Sequence, residues 1–175
     1  LLIQSKYHEA RLCALLILVE QFKKATELQR GVLFDFYLNH IDYINNWDLV
    51  DISCPYIVGN YLLDKDRSHL YELAESKHLW SQRIAVVSTI AFIRKGEFLD
   101  TFALAGKLLN HEHDLMHKAI GWMLREVGKK DRAALTDFLE RNSSLMPRTS
   151  LRYAIEHYPE TERKAFLSVK QIKNK

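Results

Sequence analysis

Apolar residues recur every three or four positions along almost the whole chain. They form runs such as RLCALLILVEQF, HLYELAES, QRIAVVSTIAFI, FLDTFALAGKLL, HKAIGWMLREVG and RAALTDFLERN, separated by short polar segments. That spacing puts the apolar side chains of each run on one helical face, so each run predicts a helix that buries a stripe. About ten helices are expected. No segment alternates apolar and polar residues convincingly enough to compete as a strand, and the fold class expected is all-α.

The runs overlie one another when aligned on Arg11, Trp47, Arg83, Lys118 and Arg148, at intervals of 36, 36, 35 and 30 residues. Helix pairs recurring at this interval predict an α-solenoid of the HEAT-like kind, one domain over residues 1–175, in which each pair buries its stripe against its neighbours. Four residues after each start lie Leu15, Asp51, Val87, Trp122 and Arg152, and seven after lie Leu18, Cys54, Ile90, Arg125 and Ile155. If equivalent helices line one concave face, that face carries two tryptophans, one carboxylate and several bases.

The segment NNWDLVDISC holds the least expected residue of this register. Asn45 or Asn46 can cap a helix, and Asp48 then suits the positive end of its dipole. Asp51 falls a turn further on, where a helix would bury Leu or Val and where an unpaired carboxylate is costly. Trp47 precedes it by four residues, which puts indole and carboxylate on one face. Plainer readings stay open at this point. Trp47 and Trp122 can fill core volume, Asp51 can pair with an arginine of the next repeat, and Arg83 and Arg125 can be solvated or paired with Asp51 or Glu126.

Composition narrows the classes. Of 175 residues 47% are hydrophobic and 11% aromatic, enough for a substantial core, and six Gly with three Pro favour helices over a turn-rich β fold. A net charge of +3 identifies no partner unless it is clustered. Cys13 and Cys54 lie in apolar helical runs and are expected as reduced core residues of a cytoplasmic protein. LCALLILVE is cut short by Glu20 and Lys23, so no membrane span is expected. The chain opens on Leu1 and enters a helix almost at once, which reads as a fragment with something missing upstream. In HEHDLMHK, His113 and His117 have the spacing of a zinc pair, but the HExxH order is missing. A surface loop running into a helix capped by Asp114 accounts for them. His8 and Glu9 fail as a zinc motif because position 12 is Leu, and neither a metal nor a cofactor is expected.

The runs YHEARLCALLILVEQF, NNWDLVDISCPYIVGNYL, LWSQRIAVVSTIAFI and HKAIGWMLREVGKK, in this order and at these distances, resemble the DNA alkylation repair family of HEAT-like DNA glycosylases, the AlkD-like proteins. W-D-x-V-D together with A-I-G-W-x-L-R-E carries the likeness, which covers about Lys6 to Lys170. The resemblance implies a right-handed α-α superhelix that holds duplex DNA in its concave face and excises N3- and N7-alkylated purines. It also implies further helices upstream of Leu1. By the same resemblance Asp51 matches the catalytic aspartate, Trp47 and Trp122 the active-site tryptophans, and Arg83, Arg125 and Arg152 basic positions of the DNA-binding groove. A monomer acting on duplex DNA is expected. The alternative is a HEAT-like module that binds nucleic acid or protein without catalysis, and a third possibility is a single-strand or RNA binder that uses aromatic stacking.

Overall fold

The computed structural model of the chain describes residues 1–172, and every regular element among them is helical. The helices are α1 (His8–Lys24), α2 (Glu27–Leu38), α3 (Trp47–Cys54), α4 (Ser68–Glu75), α5 (Leu79–Ser88), α6 (Ile90–Arg94), α7 (Leu99–Lys107), α8 (Asp114–Lys130), α9 (Arg132–Asn142), α10 (Arg148–Ala154) and α11 (Glu160–Ser168). Eleven α-helices among the described residues exceed the expected ten because QRIAVVSTIAFI breaks in two. The break falls at Thr89, whose Oγ1 donates to the Val86 carbonyl at 2.7 Å and competes with the helical ladder. None of these helices is long and apolar enough to cross a membrane.

The chain forms two compact units, Leu1–Ala91 and Phe92–Lys175. In the first, α3 packs against both α1 and α5, and α4 lies on α5. Leu15, Leu18 and Phe22 of α1, Leu49, Val50 and Cys54 of α3, and Ile84 and Val87 of α5 are buried there. Helix α2 starts with a reciprocal cap. Thr26 Oγ1 accepts from the Gln29 N–H, and Gln29 Oε1 accepts from the Thr26 N–H at 2.9 Å.

Helix α3 runs straight into a π-helical turn, Pro55–Gly59. Pro55 has no N–H to offer the Asp51 carbonyl four residues back, and its ring crowds that carbonyl, so the turn widens instead of continuing as an α-helix. The wide turn lies close against α5. A Cβ on Gly59 would stand 2.4 Å from the Ser88 carbonyl oxygen and 2.9 Å from the Ala91 Cβ, so only a glycine hydrogen fits. On the other side of α3, Ser53 Oγ donates to the Leu49 carbonyl at 2.5 Å and therefore accepts from the Tyr37 hydroxyl at 2.9 Å. Helix α3 is thus held by α1, α2 and α5 together.

In the second unit α8 and α10 pack at close range. A Cβ on Gly121 would lie 2.5 Å from the Tyr153 Cβ and 2.6 Å from the Ser150 carbonyl oxygen. Asp131 caps α9 by accepting from the Ala134 N–H at 2.9 Å. Helix α8 is capped by His113, whose Nδ1 accepts from the Leu115 N–H at 3.1 Å, and not by Asp114. Asp114 is the first helical residue and pairs with Lys118 at 2.8 Å, one turn on. His117 bonds the His111 carbonyl and the His113 N–H donates to His111 Nδ1 at 2.9 Å, so the histidine-rich segment is a hydrogen-bonded turn.

Candidate active site

The first unit brings Trp47, Asp51 and Arg83 together. Asn46, the residue before α3, accepts from the Trp47 N–H through its side chain at 2.9 Å, and the helix starts there. Trp47 is therefore the first helical residue, and its indole stays 50% exposed although it is one of the largest apolar side chains in the chain. Asp51 follows one turn later on the same face. Its side chain is only 15% exposed, and both of its oxygens are taken by one guanidinium. Arg83 donates from Nε to Oδ1 at 2.9 Å and from Nη2 to Oδ2 at 2.8 Å, a bidentate fork between α5 and α3.

Burial raises the Asp51 carboxyl above the ordinary carboxylate value, and the hydrogen bonds and charge of Arg83 oppose this without cancelling it. Asp48 pushes it further in the same direction. Burial also holds the Tyr37 hydroxyl of α2 and the Cys54 thiol at the end of α3 well above their ordinary values. The result is one carboxylate with a defined orientation, one helical turn from a solvent-exposed indole. Such a carboxylate can stabilise a cation formed in front of it and can orient a water, but the tightness of its pairing makes it a poor proton donor.

Arg83 is 4% exposed, so it does not lie on a surface that a phosphate reaches from solvent. The shared register also fails to give shared exposure. Leu15 and Val87, which occupy the Asp51 position in neighbouring repeats, are both fully buried, and Arg11 is bonded to the Ser5 carbonyl at 2.9 Å and to Asn45 Oδ1 at 3.1 Å. An equivalent place in a repeat sets a side chain's direction. Whether it meets solvent depends on what packs over it.

The second unit carries the remaining sequence-predicted residues, all near the contact of α8 with α10. Trp122 is half-buried on α8, beside the fully buried Met123. Arg125, one turn on, pairs with Glu156 and approaches Glu126 at 3.6 Å. Arg152 on α10 is exposed. Arg148, in the starting position of the last repeat, donates to the Leu167 and Val169 carbonyls at 2.7 and 3.0 Å and closes the end of α11.

One residue of the first unit was not singled out as part of a site. His8 Nε2 lies 2.7 Å from Asp48 Oδ2, at the corner where α1 and α3 begin. In sequence it stands forty residues from Asp48 and offers only the His-Glu pair that fails as a zinc motif.

The model of a family described as DNA alkylation repair enzyme matches the chain over residues 1–158. Among solved structures, the chain is similar to one described as "Predicted DNA alkylation repair enzyme from Enterococcus faecalis", with a TM-score of 0.69 at 16% identity over 91% of this chain and 73% of that one. At that identity the likeness shows the fold. No protein of curated function matches the chain. The W-D-x-V-D stretch that forms the Asp51 site lies within a family match covering most of the sequence, and the chain therefore belongs to the DNA alkylation repair enzyme family.

Proposed function

We propose that this protein is a DNA glycosylase that hydrolyses the N-glycosidic bond of purines made cationic by alkylation at N3 or N7 in duplex DNA. The observation that carries the proposal is the Asp51 carboxylate, largely buried, held by both oxygens and one turn from an exposed indole. An alkylated purine already bears a positive charge and leaves as a neutral base, so no general acid is needed for its departure. The bond to the sugar breaks with its electron pair going to the base, and an oxocarbenium ion develops on the sugar. Asp51 faces that cation and stabilises it electrostatically. A water then adds to the anomeric carbon, and its proton passes to Asp51 or to solvent.

Arg83 is a positioning residue in this scheme. It keeps Asp51 ionised against the pull of burial and fixes which way its oxygens point. The exposed face of Trp47 attracts the cationic base and the electron-poor sugar, at about 0.5–2 kcal/mol per contact. The family resemblance assigns Trp122 the same kind of role and Arg125 and Arg152 a role in binding phosphates, for which the exposed Arg152 suits better than the paired Arg125. The likeness to a solved structure over most of the chain supports continuing the helix pairs as a right-handed HEAT-like superhelix. An enzyme of this design discriminates by lesion charge and bond lability, so neutral damaged bases are poor substrates.

A second reading has its own observation. A bidentate, largely buried ion pair is also what a purely structural link between α3 and α5 would be, and the protein would then bind nucleic acid without cleaving it. Release of N7-methylguanine from a duplex oligonucleotide separates the two. The glycosylase proposal expects release by the wild type and little by Asp51→Asn. Binding without release by the wild type overturns it.

A further inference from the structure

Asp48 is the second residue of α3, where a carboxylate suits the positive end of the helix dipole, and its Oδ1 accepts from the Leu49 N–H at 2.8 Å. Its other oxygen, Oδ2, lies 2.7 Å from His8 Nε2. An ionised carboxylate only accepts hydrogen bonds, so the imidazole donates from Nε2. The two side chains are 33% and 28% exposed, so this is a pair at the rim of the site and not a core contact. Arg11 of α1 is bonded to the Ser5 carbonyl and to Asn45 at the same corner and braces it.

The consequence concerns charge. Helix α3 carries two carboxylates within one turn, beside the exposed Trp47. A polyanion approaching that corner meets both. Each has a donor brought from a different helix: Arg83 of α5 takes both oxygens of Asp51, and His8 of α1 takes the free oxygen of Asp48. We infer that His8 is a positioning residue for this site, offsetting the charge of Asp48 so that DNA can approach Trp47 and Asp51 against a single effective carboxylate. The inference rests on the glycosylase reading, in which the start of α3 faces DNA. Asp48 stays because α3 uses it as a first-turn acid. His8 offsets what that acid costs at a DNA-facing surface by donating a hydrogen bond to the oxygen that α3 leaves free.

The test is a double-mutant cycle on the full chain with His8→Ala, His8→Gln, Asp48→Asn and the pairs that combine each histidine variant with Asp48→Asn. The readouts are affinity for an undamaged duplex, single-turnover base release from an N7-methylguanine duplex, and thermal unfolding. His8→Ala is expected to weaken duplex binding roughly tenfold, the scale of one lost charge-assisted contact. Adding Asp48→Asn restores affinity to within about twofold of wild type, and Asp48→Asn alone binds at least as well as wild type although α3 loses a first-turn acid. A structural clamp behaves in the opposite way, since Asp48→Asn would then damage binding as much as His8→Ala does and rescue nothing. That outcome, or unchanged binding by His8→Ala, overturns the inference. Should His8→Ala fail to fold, the comparison of His8→Gln with His8→Gln/Asp48→Asn decides it by the same rescue. Undamaged duplex needs no chemistry, so a wild type that binds without releasing base removes the glycosylase reading and leaves the cycle readable. Base release by the wild type with no rescue removes this inference alone, and a wild type that binds no duplex overturns both.

Discussion

Arg83 reaches from α5 to place Nε and Nη2 on the two oxygens of Asp51, at 2.9 and 2.8 Å, while staying almost wholly out of solvent itself. Two parallel bonds fix the plane of the carboxylate as well as its place, which a lysine ammonium cannot do. Removing the guanidinium would leave a largely buried charge without its partner. Arg83→Ala is therefore expected to cost about 3–5 kcal/mol of stability, and Arg83→Lys to fold better while losing most base release. The dependence of log K on log salt should not change for either variant. Exposed Arg152 gives the contrast: if it meets a phosphate, Arg152→Ala lowers that slope by about 0.9 and leaves unfolding unchanged. Denaturant unfolding and salt titrations of duplex binding check both.

Asp51→Asn should abolish most base release while leaving affinity for DNA equal or higher. The carboxylate acts on a charge that exists only as the bond breaks, so its loss appears in the rate at saturating enzyme and not in binding. Neutralising it also removes repulsion toward phosphates. Single-turnover release from N7-methylguanine DNA, with a parallel binding titration, is the measurement. Near-normal turnover in the variant would remove Asp51 from the chemistry.

Burial holds the Asp51 carboxyl above its ordinary value even with Arg83 beside it, and two pH effects follow. Base release needs the ionised form, so the acid limb of the rate profile should fall at a pH above the ordinary carboxylate range. For stability the sign is the reverse of the usual salt-bridged aspartate. A raised folded value means that the folded state holds this proton more tightly than the unfolded chain does, so the ionised carboxylate is a cost at neutral pH. That cost is relieved as pH falls through the window between the raised value and the ordinary one. Wild type should accordingly gain stability relative to Asp51→Asn over that window, as thermal unfolding of the two proteins at stepped pH would record.

Trp47 and Trp122 differ in what surrounds them. Trp47 is half-exposed at the first position of α3, so Trp47→Ala should cost well under the roughly 3–5 kcal/mol of a core tryptophan and still reduce base release. Trp122 is more buried than Trp47, on α8, and should lose more stability for the same replacement. Thermal unfolding and base-release rates for the two alanine variants decide the matter. Losses on the core scale by both, with ordinary activity in the folded fraction, would assign both indoles to packing.

The helices and the oddity of Asp51 were legible in the chain by itself, because a period of 3.6 and capping chemistry are local properties. NNWDLVDISC shows a cap, a first-turn acid and a misplaced carboxylate without reference to anything distant. The break at Thr89 and the wide turn after Pro55 were not expected from periodicity, because each depends on how a single residue disturbs the ladder. What only the tertiary structure decided was partnership. Asp51 and Arg83 are thirty-two residues apart and His8 and Asp48 forty, and a register of repeats gives the direction of a side chain but not the atom it meets. The resemblance made Arg83 a base of the DNA-binding groove, while the residues alone left it free to pair with Asp51, and the packing of α5 on α3 turned it inward onto that carboxylate. Exposure depends on every neighbouring element at once, so the same register position is buried leucine in one repeat and a site carboxylate in the next.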